Sequence, residues 1–308
     1  MITKFWEGVG GTLAERWAAV SLPALVFWLG GLLAWCARRG DLRAPRAATD
    51  WLGGQPALTQ AGCVAVALLA VAASGLVVRR GTRTALVLME GYWPAPFAPL
   101  RRRLLARVDR AATADRGRFQ ELAGPVQSGK ATPDECEEYA ALDGRLRRLP
   151  SRGRYLPTRL GNIIRAAETR PGDKYGLDAV VVWPHLWFLL PEHARAEVAA
   201  ARRALDSAVG VLVWGSLFTL FTPVSPWAAP VGLGVALLAG LVWAPTHART
   251  YAELVEAAFD LYRGSLYTQL RWPLPGDPGA ERAEGELLTR YLLRGSDAAH
   301  PRFTGPRD

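Results

Sequence analysis

Between Asp206 and Arg249 the chain carries no Asp, Glu, Lys or Arg. That run is too long for one crossing of a bilayer, because a helix needs about 20 apolar residues to cross roughly 30 Å of hydrocarbon. Pro223, Pro226 and Pro230 interrupt it near its middle. Two spans joined by a tight turn follow, Ser207 to Phe221 and Ala228 to Ala244. Two more uncharged stretches lie towards the N-terminus. Trp17 to Ala37 contains Leu22, Leu25, Val26, Phe27, Leu29, Leu32 and Leu33, with Pro23 as an expected kink. Thr12-Leu-Ala-Glu15 has the spacing of a capping box that would start this helix. Leu58 to Val78 ends on Arg79-Arg80, a basic stop of the kind found at cytoplasmic ends. A removable signal peptide is the other reading of the first stretch. Against it, bulky Trp35 stands where cleavage needs a small residue, and no A-x-A site follows.

The expected fold class is therefore an all-α integral membrane protein with four transmembrane helices in two hairpins. The hairpins occupy 17–78 and 207–246. They bracket a helical cytoplasmic region over 79–205, and a cytoplasmic C-terminal helical region over 247–294 follows. Residues 1–16 form a weakly amphipathic N-terminal segment carrying Ile2, Phe5, Trp6 and Val9, and 295–308 are expected to be a disordered tail. Orientation follows from the basic residues flanking the spans. With both termini inside, Lys4, Arg16, Arg79, Arg80, Arg83, Arg195, Arg202, Arg203, Arg249 and Arg263 are cytoplasmic, against Arg38, Arg39, Arg43 and Arg46 outside. Trp35, Trp51, Trp93, Trp227 and Trp243 fall near the expected interfaces, where amphipathic rings anchor.

Residues 79–205 carry 23 basic and 14 acidic side chains, which accounts for the whole net charge of +9. Only three of the 37 basic residues are lysines, a bias expected of a GC-rich bacterial genome, so arginine density alone marks no binding surface. The expected partner of this excess is the anionic inner leaflet. Nucleic acid is not expected, since basic residues are not interleaved with stacking aromatics and no reading helix is present.

Within this region Gly91-Tyr-Trp-Pro-Ala-Pro-Phe-Ala-Pro99 reads as a stiff linker leaving the membrane. A helix follows with Phe97, Leu100, Leu104, Val108, Ala111, Phe119 and Leu122 on one face. Thr132-Pro-Asp-Glu135 then combines a capping box with proline at the first helical position, so 124–131 joins two antiparallel helices. The joint contains Gly124-Pro-Val-Gln-Ser-Gly-Lys130, close to a phosphate-binding loop. That chemistry needs a preceding strand and a hydroxyl directly after the lysine. Here a helix precedes the loop and Ala131 follows the lysine.

Leu160, Ile163, Ile164 and Ala167 make the apolar face of a further helix introduced by Pro157-Thr158. Asn162, Arg165 and Glu168 project elsewhere and, with Asp178 and His185, form the candidate functional surface. The uncharged 179–190 segment is too short to span and is broken by Pro184, which suits an interfacial or re-entrant segment. After the last span, Tyr251, Leu254, Val255, Ala258 and Tyr262 lie opposite Arg249, Glu253, Glu256, Asp260 and Arg263 on an amphipathic helix. Gly232, Ala236 and Gly240 recur every four residues and would let a neighbouring helix approach closely. Cys36, Cys63, Cys136 and the four histidines are scattered, so no disulfide framework, metal site, cofactor site or catalytic constellation is expected.

Leu160-Gly-Asn-Ile-Ile-Arg-Ala-Ala-Glu168, Tyr175-Gly-Leu-Asp-Ala-Val-Val-Val-Trp-Pro184 and Arg271-Trp-Pro-Leu-Pro275 resemble strings in uncharacterised multi-pass membrane proteins of high-GC bacteria. That resemblance implies location in the bacterial cytoplasmic membrane and no particular activity. In topology alone, two spans on either side of a cytoplasmic middle are similar to bestrophin-type channels. Two expectations follow, neither of them enzymatic. One is a homo-oligomeric ion channel or membrane-permeabilising effector. The other is a membrane-anchored scaffold or signalling partner that docks a cytoplasmic protein through 96–190 and 250–294.

Overall fold

The computed structural model describes residues 22–40, 44–298 and 300–305, without the side chains of 44–48, and no strand occurs among them. The N-terminal segment 1–16, the Thr12–Glu15 capping box and the start of the first span lie outside the described residues. The chain forms two compact units. The first comprises Met1–Leu86 with Asp206–Ala244, the second Val87–Leu205 with Pro245–Asp308. Helix α1 covers residues 22–39, α2 Ala44–Gly53, α3 Ala57–Glu90, α4 Ala98–Gln127, α5 Pro133–Leu146 and α6 Arg159–Tyr175. Then come α7 Ala179–Leu189, α8 Glu192–Phe218, α9 Ala228–Leu238, α10 Ala244–Gln269 and α11 Pro278–Arg294. Three of these runs, the one beginning with α3, α8 with the turn after it, and α9 continuing into α10, are long and apolar enough to cross a membrane.

In the first unit the small residues decide how closely helices pack. A Cβ at Gly215 of α8 would stand 2.8 Å from the Ala236 nitrogen, and one at Gly232 of α9 would stand 2.6 Å from the Gly215 carbonyl oxygen. The two backbones therefore meet at this pair of glycines. Gly232 and Ala236 are buried as the four-residue spacing predicts, but the third buried small residue is Ala239, and Gly240 is only half-buried. Ala239 follows Ala236 at the three-residue spacing of the same helical face, and a π-helical turn over Ala239–Trp243 then shifts the register ahead of Pro245. Proline lacks an amide hydrogen and crowds the carbonyl four residues back, and a widened turn relieves both. Phe27 of α1 lies 4.9 Å from Trp214 and 5.0 Å from Phe221, ring centre to ring centre, and Trp28 Nε1 donates to Ser74 Oγ at 3.2 Å.

Helices α3 and α8, and the run of α9 into α10, all outrun the apolar segments predicted for them. The Arg79-Arg80 pair ends the hydrophobic stretch of α3, not the helix, which continues to Glu90. Gly91 ends it with φ of 101°, a conformation that favours glycine. Thr158 caps the start of α6 by accepting from Gly161 N at 3.0 Å. A Cβ at Gly161 would collide with the Glu90 carbonyl, so that position holds the end of α3 directly on α6.

The second unit has one continuous core: Leu177, Val182, Leu186, Leu190, Val198, Val255, Phe259, Leu266, Tyr267 and Leu288 from α7, α8, α10 and α11 and the turn before α7. The α4–α5 hairpin appears as predicted, with the Thr132–Glu135 capping box fully formed. Phe119 stacks on Tyr139 at 4.4 Å, and Arg118–Glu138 and Arg145–Asp115 bridge the pair. The apolar face expected on α4 needs correction: Ala112 is buried rather than Ala111, and Phe97 and Leu100 are exposed. Only the C-terminal part of α4 has α5 to pack on. The described part of the tail makes a few contacts with the second unit. Phe303 packs on Trp272 and Tyr291, and Thr304 N donates to the Arg271 carbonyl at 2.8 Å.

Candidate functional site

The five residues singled out on the sequence do not form one site. Asn162 is structural: its Oδ1 accepts from Leu156 N at 2.8 Å, and its Nδ2 donates to the Leu156 and Thr158 carbonyls at 2.8 Å each. At 4% exposure it ties the loop before α6 to the helix, every polar atom satisfied. Arg165 pairs with Glu168 at 3.2 Å on a half-exposed helical surface. Glu168 faces Glu90, whose carboxyl is pushed up by burial first and by Glu168 second, while Arg202 pulls it down. Asp178 caps α7, Oδ1 accepting from Val180 N at 2.9 Å. His185 is exposed, with Nδ1 3.2 Å from the Val181 carbonyl of its own helix. Helix α7 itself places Ala179, Val182 and Leu186 in the core and leaves Val180 and Phe188 exposed.

A different face of α6 carries the densest electrostatics in the unit. Arg170 and Lys174, one turn apart, face Glu256 and Asp260, one turn apart on α10. Lys174 Nζ lies 2.6 Å from Glu256 and 3.5 Å from Asp260, and Arg170 bonds the second Glu256 oxygen. Tyr175 donates its hydroxyl to Asp260 at 2.5 Å and carries the Arg263 guanidinium 4.1 Å over its ring. Arg263 in turn bonds Glu281 of α11 at 2.6 Å. Burial pushes the Glu256 carboxyl up, but the hydrogen bonds from Lys174 and Arg170 outweigh it and hold the group below its ordinary range. The network pins three helices together above the apolar core. Sequence reasoning put Glu256, Asp260 and Arg263 on the charged side of an amphipathic helix. The readable signal was the matched pairs of opposite charge, each four residues apart, on two helices that both have apolar faces.

Beside this ladder opens a cleft of about 650 Å³ lined by the C-terminal part of α5, by α6 and by α10. Five cations face it, Arg147, Arg148, Arg170, Lys174 and Arg249, against the carboxylates Glu253 and Glu256. Gly144, Ala166 and Ala252 supply small surfaces between them. Three cations are already occupied: Arg147 by Asp143 at 2.8 Å, and Arg170 and Lys174 by Glu256. Arg148 and Arg249 have no carboxylate partner among the described residues, and the Nε of Arg249 is buried without a hydrogen-bond acceptor. Among the described residues no group of three or more His, Cys, Asp or Glu side chains is arranged to hold a metal ion. No family model, no curated protein and no solved structure matches this chain.

Proposed function

We propose that this chain is a four-span protein of the bacterial cytoplasmic membrane, its spans paired as hairpins 17–78 and 207–246 and both termini inside. Its helical second unit acts at the inner leaflet as a membrane-anchored scaffold or signalling partner for a cytoplasmic protein. The observation that carries this reading is the division of labour between the units. The ion ladder and the basic cleft both belong to the second unit. The described spans turn Leu68, Leu69, Val231 and Leu241 outward. Their hydroxyls are spent on their own helices, Thr82 on Val78, Ser216 on Leu212 and Thr219 on Ser216. A water-filled ion path needs polar groups, or a constriction assembled from several copies, and such bonds leave few polar groups free. Two of the four outer arginines that count against this orientation are engaged locally. Arg38 donates to the Pro223 and Val224 carbonyls, and Arg39 lies 4.4 Å over the Trp35 ring, so both have partners within the first unit.

Photo-crosslinking residues placed between 96 and 190 should capture a defined cytoplasmic protein in living cells, and the purified chain in liposomes should stay electrically silent. Reproducible ion currents with an oligomeric mass in detergent would favour the homo-oligomeric channel and overturn the scaffold.

A further inference from the structure

We propose that the basic cleft between α5, α6 and α10 binds the phosphodiester of an anionic phospholipid headgroup. Four observations converge on this ligand. Arg148 and Arg249 are the two lining guanidinium groups without a carboxylate partner among the described residues, and a guanidinium fork matches two phosphate oxygens at once. The buried Nε of Arg249 lacks an acceptor, which a phosphate oxygen would supply. The remaining lining cations, Arg147, Arg170 and Lys174, outnumber the two lining carboxylates and keep the cleft positive. Its volume of about 650 Å³ suits a headgroup better than a bare ion.

The membrane source follows from the sequence position of Arg249, the first charged residue after the uncharged run that begins beyond Asp206. A basic side chain at that place along a helix leaving the bilayer stands at headgroup depth, where anionic lipid is concentrated. No aromatic side chain lines the cleft, which disfavours a stacked nucleotide base. This inference rests on the reading that the second unit faces the inner leaflet, and that reading is tested separately by labelling Cys136 in whole cells.

The test uses the full-length protein in detergent micelles, titrated with dioctanoyl phosphatidylglycerol, dioctanoyl phosphatidylcholine or inorganic phosphate and read by native mass spectrometry. Wild type should bind phosphatidylglycerol saturably and phosphatidylcholine weakly. Replacing both free cations (Arg148→Gln with Arg249→Gln) should weaken phosphatidylglycerol binding by about ten-fold or more, because two charge-assisted contacts are lost. Neither side chain has a partner to orphan among the described residues, and an unchanged thermal midpoint without lipid verifies that the variant folds. The pair Arg102→Gln with Arg103→Gln removes the same charge from exposed positions on α4 and should leave binding intact. Equal loss in both double variants, or none in either, overturns the proposal. So does inorganic phosphate competing as well as the lipid, which would make the cleft a site for a soluble anion.

Discussion

Asn162 was legible as a polar residue next to an apolar helical stripe, but its role was not. It depends on residues 156–158 folding back over the helix, a tertiary event with no local signature. Replacing it with Ala strips hydrogen bonds from buried backbone groups and should cost about 2 kcal/mol or more, while Arg165→Ala on the half-exposed face should cost under about 0.5 kcal/mol. Thermal unfolding of both purified variants makes the comparison, and equal losses would contradict the assignment. Two carboxylates predict opposite pH behaviour. Glu256 is held low, so its contribution is present above the ordinary carboxylate range and disappears as pH falls through the depressed value. Wild type should therefore exceed Glu256→Gln in thermal midpoint at neutral pH, the gap closing below about pH 4.3. Glu90 is held high, so its contribution is complete below its ordinary value and is lost as pH rises through the raised one. Glu90→Gln should match wild type at about pH 4 and equal or exceed it at about pH 7.5. A variant several degrees less stable at the higher pH would refute that sign.

At the scale of elements, capping chemistry was the most reliable guide. Thr132-Pro-Asp-Glu135 announced α5 to the residue, and Thr132→Ala should cost about 1 kcal/mol through loss of the cap. Helix lengths were less legible. Arg79-Arg80 marks where apolar surface stops, yet residues 79–90 contain good helix formers and no proline, so α3 continues to Glu90. The small-residue repeat after Trp227 was readable up to Ala236. Beyond it the buried face steps three residues to Ala239 rather than four to Gly240, and a π turn follows ahead of Pro245. Gly232→Leu forces side-chain atoms against the Gly215 carbonyl and should destabilise the α8–α9 hairpin by about 1–3 kcal/mol. Gly234→Leu, whose site is open, should be tolerated in the same thermal unfolding measurement.

At the scale of the whole molecule, the helical class and three helices long and apolar enough to cross a membrane were legible because a bilayer imposes a length and a polarity that sequence displays directly. The charge ladder and the basic cleft were not, because each needs helices far apart in sequence to meet: Arg170 and Glu256 are 86 residues apart. The central proposal is that the helical second unit of this membrane protein lies in the cytoplasm. The most direct test exploits Cys136, which is exposed on α5. With Cys36 and Cys63 changed to Ala, a membrane-impermeant maleimide should fail to label Cys136 in intact cells and label it once the inner membrane is opened. A Gly54→Cys variant in a background without the other cysteines should be labelled in intact cells. Labelling of Cys136 from outside, with Gly54→Cys protected, would contradict the account.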